Sequence, residues 1–181
     1  MITEKFQGEI PNVEIRPFKI EDWQMVRDLR LEALQGDPQA FGSSYEREAA
    51  RSEEEWLAKY SRATGENPSD LFAIAVENEK AVGMAGAYRK EDGTYTIVSV
   101  YISPDFRGKG LSSRILEGIL RQIDARPDAR VLELKVNTEQ ESAVRLYKRF
   151  GFEITETLKD QEMGDGEKHD EYLMRKEIRR D

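Results

Sequence analysis

Ile97-Val-Ser-Val-Tyr-Ile-Ser-Pro-Asp-Phe-Arg-Gly-Lys-Gly-Leu-Ser-Ser113 carries an apolar strand pattern through Pro104 into a basic, glycine-bearing turn and on into a helix. Such a turn builds an anion site. Backbone N–H groups at a helix start point at whatever sits there, and the helix dipole favours negative charge. Gly108 and Gly110 let the chain approach a ligand closely and adopt positive φ. Arg107 and Lys109 add two cationic side chains at the same spot. The helix that holds the turn is amphipathic: Leu111, Ile115, Leu116, Ile119, Leu120 and Ile123 share one face, while Arg114, Glu117, Arg121 and Gln122 fall elsewhere. Strand, basic turn and helix do not decide the matter alone, because an Arg-Gly-Lys-Gly run also reads as a solvated loop.

A second constellation follows. Val131-Leu-Glu-Leu-Lys-Val136 reads as a buried strand, and Asn137-Thr-Glu-Gln-Glu-Ser-Ala-Val-Arg-Leu-Tyr-Lys-Arg-Phe-Gly-Phe152 as a short helix. Thr138 with Glu141 predicts a capping box at the start of that helix, and Gly151 its end. In this order the two stretches resemble the GCN5-related N-acetyltransferase superfamily. The family's cofactor motif, R/Q-x-x-G-x-G/A, is matched by Arg107-Gly-Lys-Gly110-Leu-Ser112, with Ser112 as a small, hydroxyl-bearing departure at the last position. The family's Asn-x-x-Ala-x-x-Leu-Tyr-x-x-x-Gly-Phe block is matched by Ala143, Leu146, Tyr147, Gly151 and Phe152, with Gln140 where the Asn is expected. Gln140 offers the same amide chemistry from a longer arm, and Asn137 is a nearby candidate for the same task. The resemblance runs from Ile15-Arg-Pro17 to the strand Glu171-Tyr-Leu-Met174.

The resemblance implies an acyl-CoA N-acyltransferase fold that moves acetyl from acetyl-CoA, as cosubstrate and without a metal, to a primary amine. Val100, Tyr101 and Ile102 would offer a strand edge to the pantetheine arm. Arg107, Gly108, Lys109 and Gly110, with Leu111, Ser112 and Ser113 opening the helix, would hold the pyrophosphate, supported by Asn137 and Gln140. On periodicity alone Tyr147 reads as a core aromatic beside Leu146. The resemblance makes it the acid that protonates the departing thiolate, a task that suits a phenol of pKa about 10. An alkyl amine is neutral only about once in a thousand molecules at pH 7, so a base is also expected. Thr94 and Tyr95 occupy the region where the family can carry a Glu, so no base is assigned; Glu133, Glu91 and Asp92 are candidates acting through water, though each reads more simply as a surface charge. The acceptor, a small-molecule or peptide amine, is expected against Asp37-Pro-Gln-Ala-Phe-Gly-Ser-Ser-Tyr-Glu46, with Trp23, Phe41, Tyr45 and Glu46 as contacts. Phe41 also reads as a plug of the core. With no activated nucleophile, transfer is expected to be direct. A non-catalytic acyl-CoA sensor would keep the basic turn without needing Tyr147. A phosphate-binding NTPase is argued against by the missing Gly-Lys-Ser/Thr ending and by the lack of a later Asp after a strand to hold magnesium.

Composition narrows the classes further. The 181 residues suit one domain, 1–181, with a core over about 13–177. The absence of Cys removes disulfides and thiolate sites, and His169 alone, in a polar turn, makes neither a multi-His metal site nor a Ser/His/Asp triad. A net charge of −8 argues against nucleic acid as partner. No apolar run approaches a membrane span and residues 1–8 lack a signal pattern, so a cytoplasmic location is expected; a homodimer stays open. Val13–Lys19 reads as a strand with Pro17 near its end. A helix follows with Trp23, Val26, Leu29, Ala33 and Leu34 inward, then a helix capped by Ser52-Glu-Glu-Glu55. Leu71–Val76, Ala81–Tyr88 and Thr94–Ile102 form a meander. The segments 62–70 and 160–170 read as loops. The predicted order is β-α-α-β-β-β-α-β-α-β-β, a mixed, mostly antiparallel α/β sheet flanked by helices.

Overall fold

The computed structural model describes residues 12–66 and 68–178; residues 1–8, where a signal pattern was sought, lie outside them. The elements are β1 (Glu14–Pro17), α1 (Trp23–Gly36), α2 (Tyr45–Ala49), α3 (Glu53–Ser61), β2 (Asp70–Glu77), β3 (Lys80–Arg89) and β4 (Thr94–Ile102), then α4 (Leu111–Asp124), β5 (Val131–Asn137), α5 (Glu141–Arg149), β6 (Glu153–Glu162) and β7 (Lys168–Glu177). One seven-stranded sheet runs β1-β2-β3-β4-β5-β7-β6, and every pair is antiparallel except β4 with β5.

The sheet separates two cores. On one face α4 lays Ile115, Leu116, Ile119 and Ile123 over small residues of β2 and β3, among them Ala73, Ala75, Ala85 and Ala87. Each such buried aliphatic side chain contributes roughly 1.5–3 kcal/mol relative to exposure. Val144, Leu146 and Tyr147 of α5 extend that core over β5 and β7. On the other face Val26, Leu29, Ala33 and Leu34 of α1 pack with Trp56 and Tyr60 of α3 against Ile74, Met84 and Tyr101. Helices α1 to α3 cover only the β1–β4 half of this face.

The expected order holds with one addition, the short helix α2, which starts at Ser44, whose Oγ accepts from the Arg47 N–H. The capping box of α3 forms as read, with Ser52 and Glu55 exchanging bonds. The box expected at Thr138 does not form. Asn137 Oδ1 accepts from the Glu139 N–H instead, and the resulting turn moves the N-cap of α5 to Gln140. The expected loop 160–170 shrinks to the turn between β6 and β7, because edge-strand residues here are polar on both faces and hide the strand pattern.

What positions the site is the parting of the two parallel strands. β4 and β5 pair only from Thr94↔Val131 to Ile97↔Leu134. Beyond Ile97 the register of β4 against β3 shifts and Ser99 adopts φ 55°, a bulge that bends β4 away from β5. Val98–Ile102 and Lys135–Asn137 then face each other without pairing.

Candidate active site

The parted strands open a cleft of about 1010 Å³. Its walls are Val98 to Ile102 on one side and Lys135, Val136 and the cleft face of α5 on the other, and Arg107, Gly108, Gly110, Ser112 and Ser113 stand at its mouth. Backbone N–H and C=O groups on both unpaired edges are free to bond a ligand that enters as an extra strand.

At the mouth, Gly108 and Gly110 take φ 73° and 79°, values that side-chain-bearing residues rarely adopt. Gly110 is the N-cap of α4 and no side chain caps the helix. The first helical bond is donated by the Arg114 N–H to the Gly110 carbonyl, so the N–H groups of Leu111, Ser112 and Ser113 have no helical acceptor. These three donors stand where the sequence reading expects an anion to bind. The two cations differ from expectation. Arg107 Nη2 lies 2.5 Å from Asp37 Oδ2, and Nε donates to the Ile102 carbonyl at 3.0 Å. Its guanidinium sits 5.4 Å from the Tyr101 ring centroid. Lys109 Nζ turns back to donate to the Asp105 carbonyl at 2.8 Å. Arg107 thus ties the turn to the end of α1. Tyr101 adds a second tie through its hydroxyl to Glu32 at 3.1 Å, and burial together with that carboxylate pushes its phenol up to about 12.

Tyr147 lines the cleft with Gln140, Ala143 and Leu146. Its ring meets Phe152 edge-on, with centroids 6.0 Å apart, so the ring belongs to the core while the residue also reaches the cleft wall. Burial raises its pKa, which keeps the phenol protonated across the physiological range. Asn137 is a correction. Its Nδ2 donates to the Gln39 carbonyl at 3.2 Å and its Oδ1 is taken by Glu139, so a fully buried amide clamps the end of β5 to the segment after α1. Gln140 is the one of the pair that lines the cleft.

Of the residues expected to contact an acceptor, Phe41 reaches the cleft, with Asp37, Gln39 and Ala40 beside it. Trp23, Tyr45 and Glu46 are not among the residues that line it. Trp23 starts α1, roughly 20 Å along the helix from the end that meets the cleft. It packs in the second core beneath the Arg27 guanidinium. Tyr45 and Glu46 lie in the first turn of α2, with Tyr45 packed against that same core. The hairpin between β6 and β7 closes this end. Gly164 N–H donates to the Phe41 carbonyl at 2.6 Å, and a Cβ at Gly164 would stand 2.3 Å from the Ser43 carbonyl oxygen.

The base candidates are corrected as well. Glu91 and Asp92 lie in the β3–β4 turn, at the end of β4 opposite the parting. Glu133 is buried, not a surface charge, and accepts from Lys90, Thr96 and Arg175. Burial alone would raise its pKa, but the bonds from Lys90 and Thr96 outweigh that and hold it below the usual carboxylate range. A carboxylate that reading the sequence passed over is Glu171 of β7, which pairs with Asn137 at the parted end of β5. It is buried, without an ion pair among the described residues, and burial pushes its pKa up against a weaker opposing pull from Lys135. Only the strand register reveals it, since a glutamate in a strand otherwise reads as solvated.

Among the described residues no cluster of His, Asp and Glu could hold a metal ion, and no helix is long and apolar enough to cross a membrane.

The fold is similar to three solved structures, each below 25% identity. A GNAT-family acetyltransferase from Streptococcus pneumoniae matches with TM-score 0.79 and 22% identity, covering 93% of this chain and 100% of the other. A phosphinothricin acetyltransferase from Sinorhizobium meliloti, solved with acetyl-CoA, gives 0.75 and 21%, covering 92% and 89%. A ribosomal-protein-alanine N-acetyltransferase from Brucella melitensis gives 0.72 and 20%, covering 91% and 99%. In sequence, an uncharacterized N-acetyltransferase of Methanocaldococcus jannaschii is 27% identical over 110 residues, 58% of this chain and 48% of that protein. The chain therefore spans about half the length of this curated relative. The family model for the acetyltransferase (GNAT) family matches residues 23–152, which contain the parted strands, the open helix start and Tyr147. By that match over well more than half its length, the chain belongs to the acetyltransferase (GNAT) family.

Proposed function

We propose that this protein transfers the acetyl group of acetyl-CoA directly to a primary amine of a small molecule or a peptide. The observation that carries the reading is the parting of β4 from β5 beside an uncapped helix start, with the phenol-bearing Tyr147 on the wall between them. The cosubstrate's pyrophosphate suits the N–H groups of Leu111 to Ser113, and its amide-rich arm suits the free edge Val98–Ile102. A phosphate arriving at the turn would compete with Asp37 for the Arg107 guanidinium, so cofactor binding and the start of the acceptor segment are linked through one ion pair.

The chemistry then needs three proton movements. The alkylammonium must lose a proton before the neutral amine attacks, and Glu171, which pairs with Asn137 at the parted end of β5 but does not itself line the cleft, is the carboxylate we assign to accept it through water. Attack forms the new C–N bond and breaks the C–S bond of the thioester; the departing thiolate takes the Tyr147 proton, and the second proton shed by the attacking nitrogen restores the phenol. Free N–H groups along the bulged part of β4 are available to the carbonyl oxygen as charge develops on it. The net charge of −8 leaves the anionic cosubstrate to be drawn locally, by the helix start and its two cations. The experiment is an acetyl-transfer screen over polyamines, amino acids, aminoglycosides and peptide N-termini. Acetyl-CoA-dependent product with at least one class is expected. Tight CoA binding with no transfer to any class would favour the non-catalytic sensor.

A further inference from the structure

Asp37 is the C-cap of α1, and its N–H donates to the Ala33 carbonyl at 2.9 Å. A carboxylate there meets the negative end of the helix dipole and needs a cation close by. Among the described residues Arg107 is its one ion-pair partner, at 2.5 Å. Both groups line the cleft and are open to it, the Asp37 side chain 24% and that of Arg107 45% exposed. The segment that Asp37 begins is fixed by other means. Asn137 Nδ2 donates to the Gln39 carbonyl at 3.2 Å, and the Gly164 N–H to that of Phe41 at 2.6 Å. Loss of Arg107 therefore leaves the Asp37 carboxylate in place on the cleft wall, without a counter-ion.

That loss is what the cosubstrate would bring. Arg107 stands beside the uncapped start of α4, the place assigned above to the pyrophosphate. Phosphate oxygens that draw on the guanidinium remove the partner of Asp37 and also set negative charge next to it. Like charges repel, and a cation lodged beside them relieves both. The reacting nitrogen is not that cation. It must lose its charge at the bulge of β4, whereas Arg107 Nε bonds the carbonyl of Ile102, three residues beyond Ser99 and so roughly 10 Å along the strand. We propose that Asp37 is a specificity-determining residue that receives a second positive charge of the acceptor once acetyl-CoA has taken Arg107, so that the preferred substrates are diamines or polyamines. The inference rests on the acetyltransferase reading above and names its substrate class.

The test compares spermidine with heptylamine, and cadaverine with pentylamine, as acceptors for the wild type and for Asp37→Asn. The members of each pair differ in basicity, but that difference is common to both proteins and cancels between them. Wild-type enzyme should favour at least one multiply charged amine by roughly tenfold to a hundredfold in kcat/KM, the range of a charge-assisted contact. Asp37→Asn should remove most of that preference and, because Arg107 is no longer shared, bind acetyl-CoA severalfold more tightly by calorimetry. A residue that only positions Arg107 would lose acetyl-CoA affinity on the same substitution. Should Asp37→Asn fail to fold, Asp37→Ser, which also removes the charge, is read in the same way. In the wild type itself, CoA should strengthen spermidine binding at least about fivefold more than heptylamine binding. A wild type without the preference, a preference that loss of the carboxylate leaves intact, weaker acetyl-CoA binding in the variant, or equal effects of CoA on the two amines overturns the subsite. Turnover of monoamines in that case leaves the acetyltransferase reading standing, whereas no turnover of any amine removes both.

Discussion

At the scale of the residue, Tyr147 and Glu133 show how burial gives two titratable groups opposite tasks. Tyr147 has a ring fixed against Phe152 and lines the cleft, so Tyr147→Phe keeps the packing and removes only the hydroxyl, the proton donor of the proposed mechanism. Single-turnover acetyl transfer should fall by about 10²-fold or more with acetyl-CoA affinity nearly unchanged. Wild-type single-turnover rates in the variant would leave Tyr147 a core aromatic only. Glu133 is structural, because three donors from the β3–β4 turn, β4 and β7 converge on it. Its folded-state pKa is held below the unfolded value of about 4.3, so its contribution is present above that pH and is lost as pH falls through the folded value. Lys90 and Arg175 are nearly half exposed, which puts the cost of Glu133→Gln toward the low end of about 1–3 kcal/mol at pH 7. Urea denaturation at pH 7 and near pH 3 should show the gap closing in acid; a gap that stays constant would contradict the account. Tyr147 was legible in the sequence because its neighbours are local, Leu146 before it and Gly151-Phe152 after. Asn137 and Glu171 were not, since the Gln39 carbonyl that holds Asn137 lies 98 residues away and the surroundings of Glu171 follow from strand register.

At the scale of the element, helices and the meander were legible because their signals are short-range: the apolar stripe of α4, the Ser52/Glu55 box of α3, the turns between β2, β3 and β4. The bulge that parts β4 from β5 was not, because Ser99 is an ordinary strand residue by composition and only its φ of 55° marks it. The same holds for the contact that closes the acceptor end. Gly164 sits in a polar turn, yet its backbone meets the 38–43 segment so closely that a Cβ would fall 2.3 Å from the Ser43 oxygen. Gly164→Ala should therefore lever the hairpin off Phe41, lowering stability by roughly 1–3 kcal/mol, the usual cost of overpacking, and raising the KM for the amine more than that for acetyl-CoA. Unchanged stability and an unchanged amine KM would show that the hairpin yields without consequence. Strand β6 shows the opposite design. It is an exposed edge, but its charged residues and two register shifts against β7 make it a poor template for another strand.

At the scale of the whole molecule, one sheet with two unequal covers explains where chemistry can occur. α4 and α5 close one face, while α1 to α3 close only half of the other, and the parted strands connect the two sides through the sheet. On the function proposed above, the cosubstrate and the amine would reach one point from opposite faces, as transfer within a ternary complex requires. The measurement that tests this most directly is a two-substrate initial-rate study with an acceptor from the amine screen, varying acetyl-CoA at several fixed amine concentrations. Reciprocal plots should intersect, with no acetylated residue trapped in the absence of amine. Parallel lines, or an acetyl-enzyme that passes its group to the amine, would contradict direct transfer.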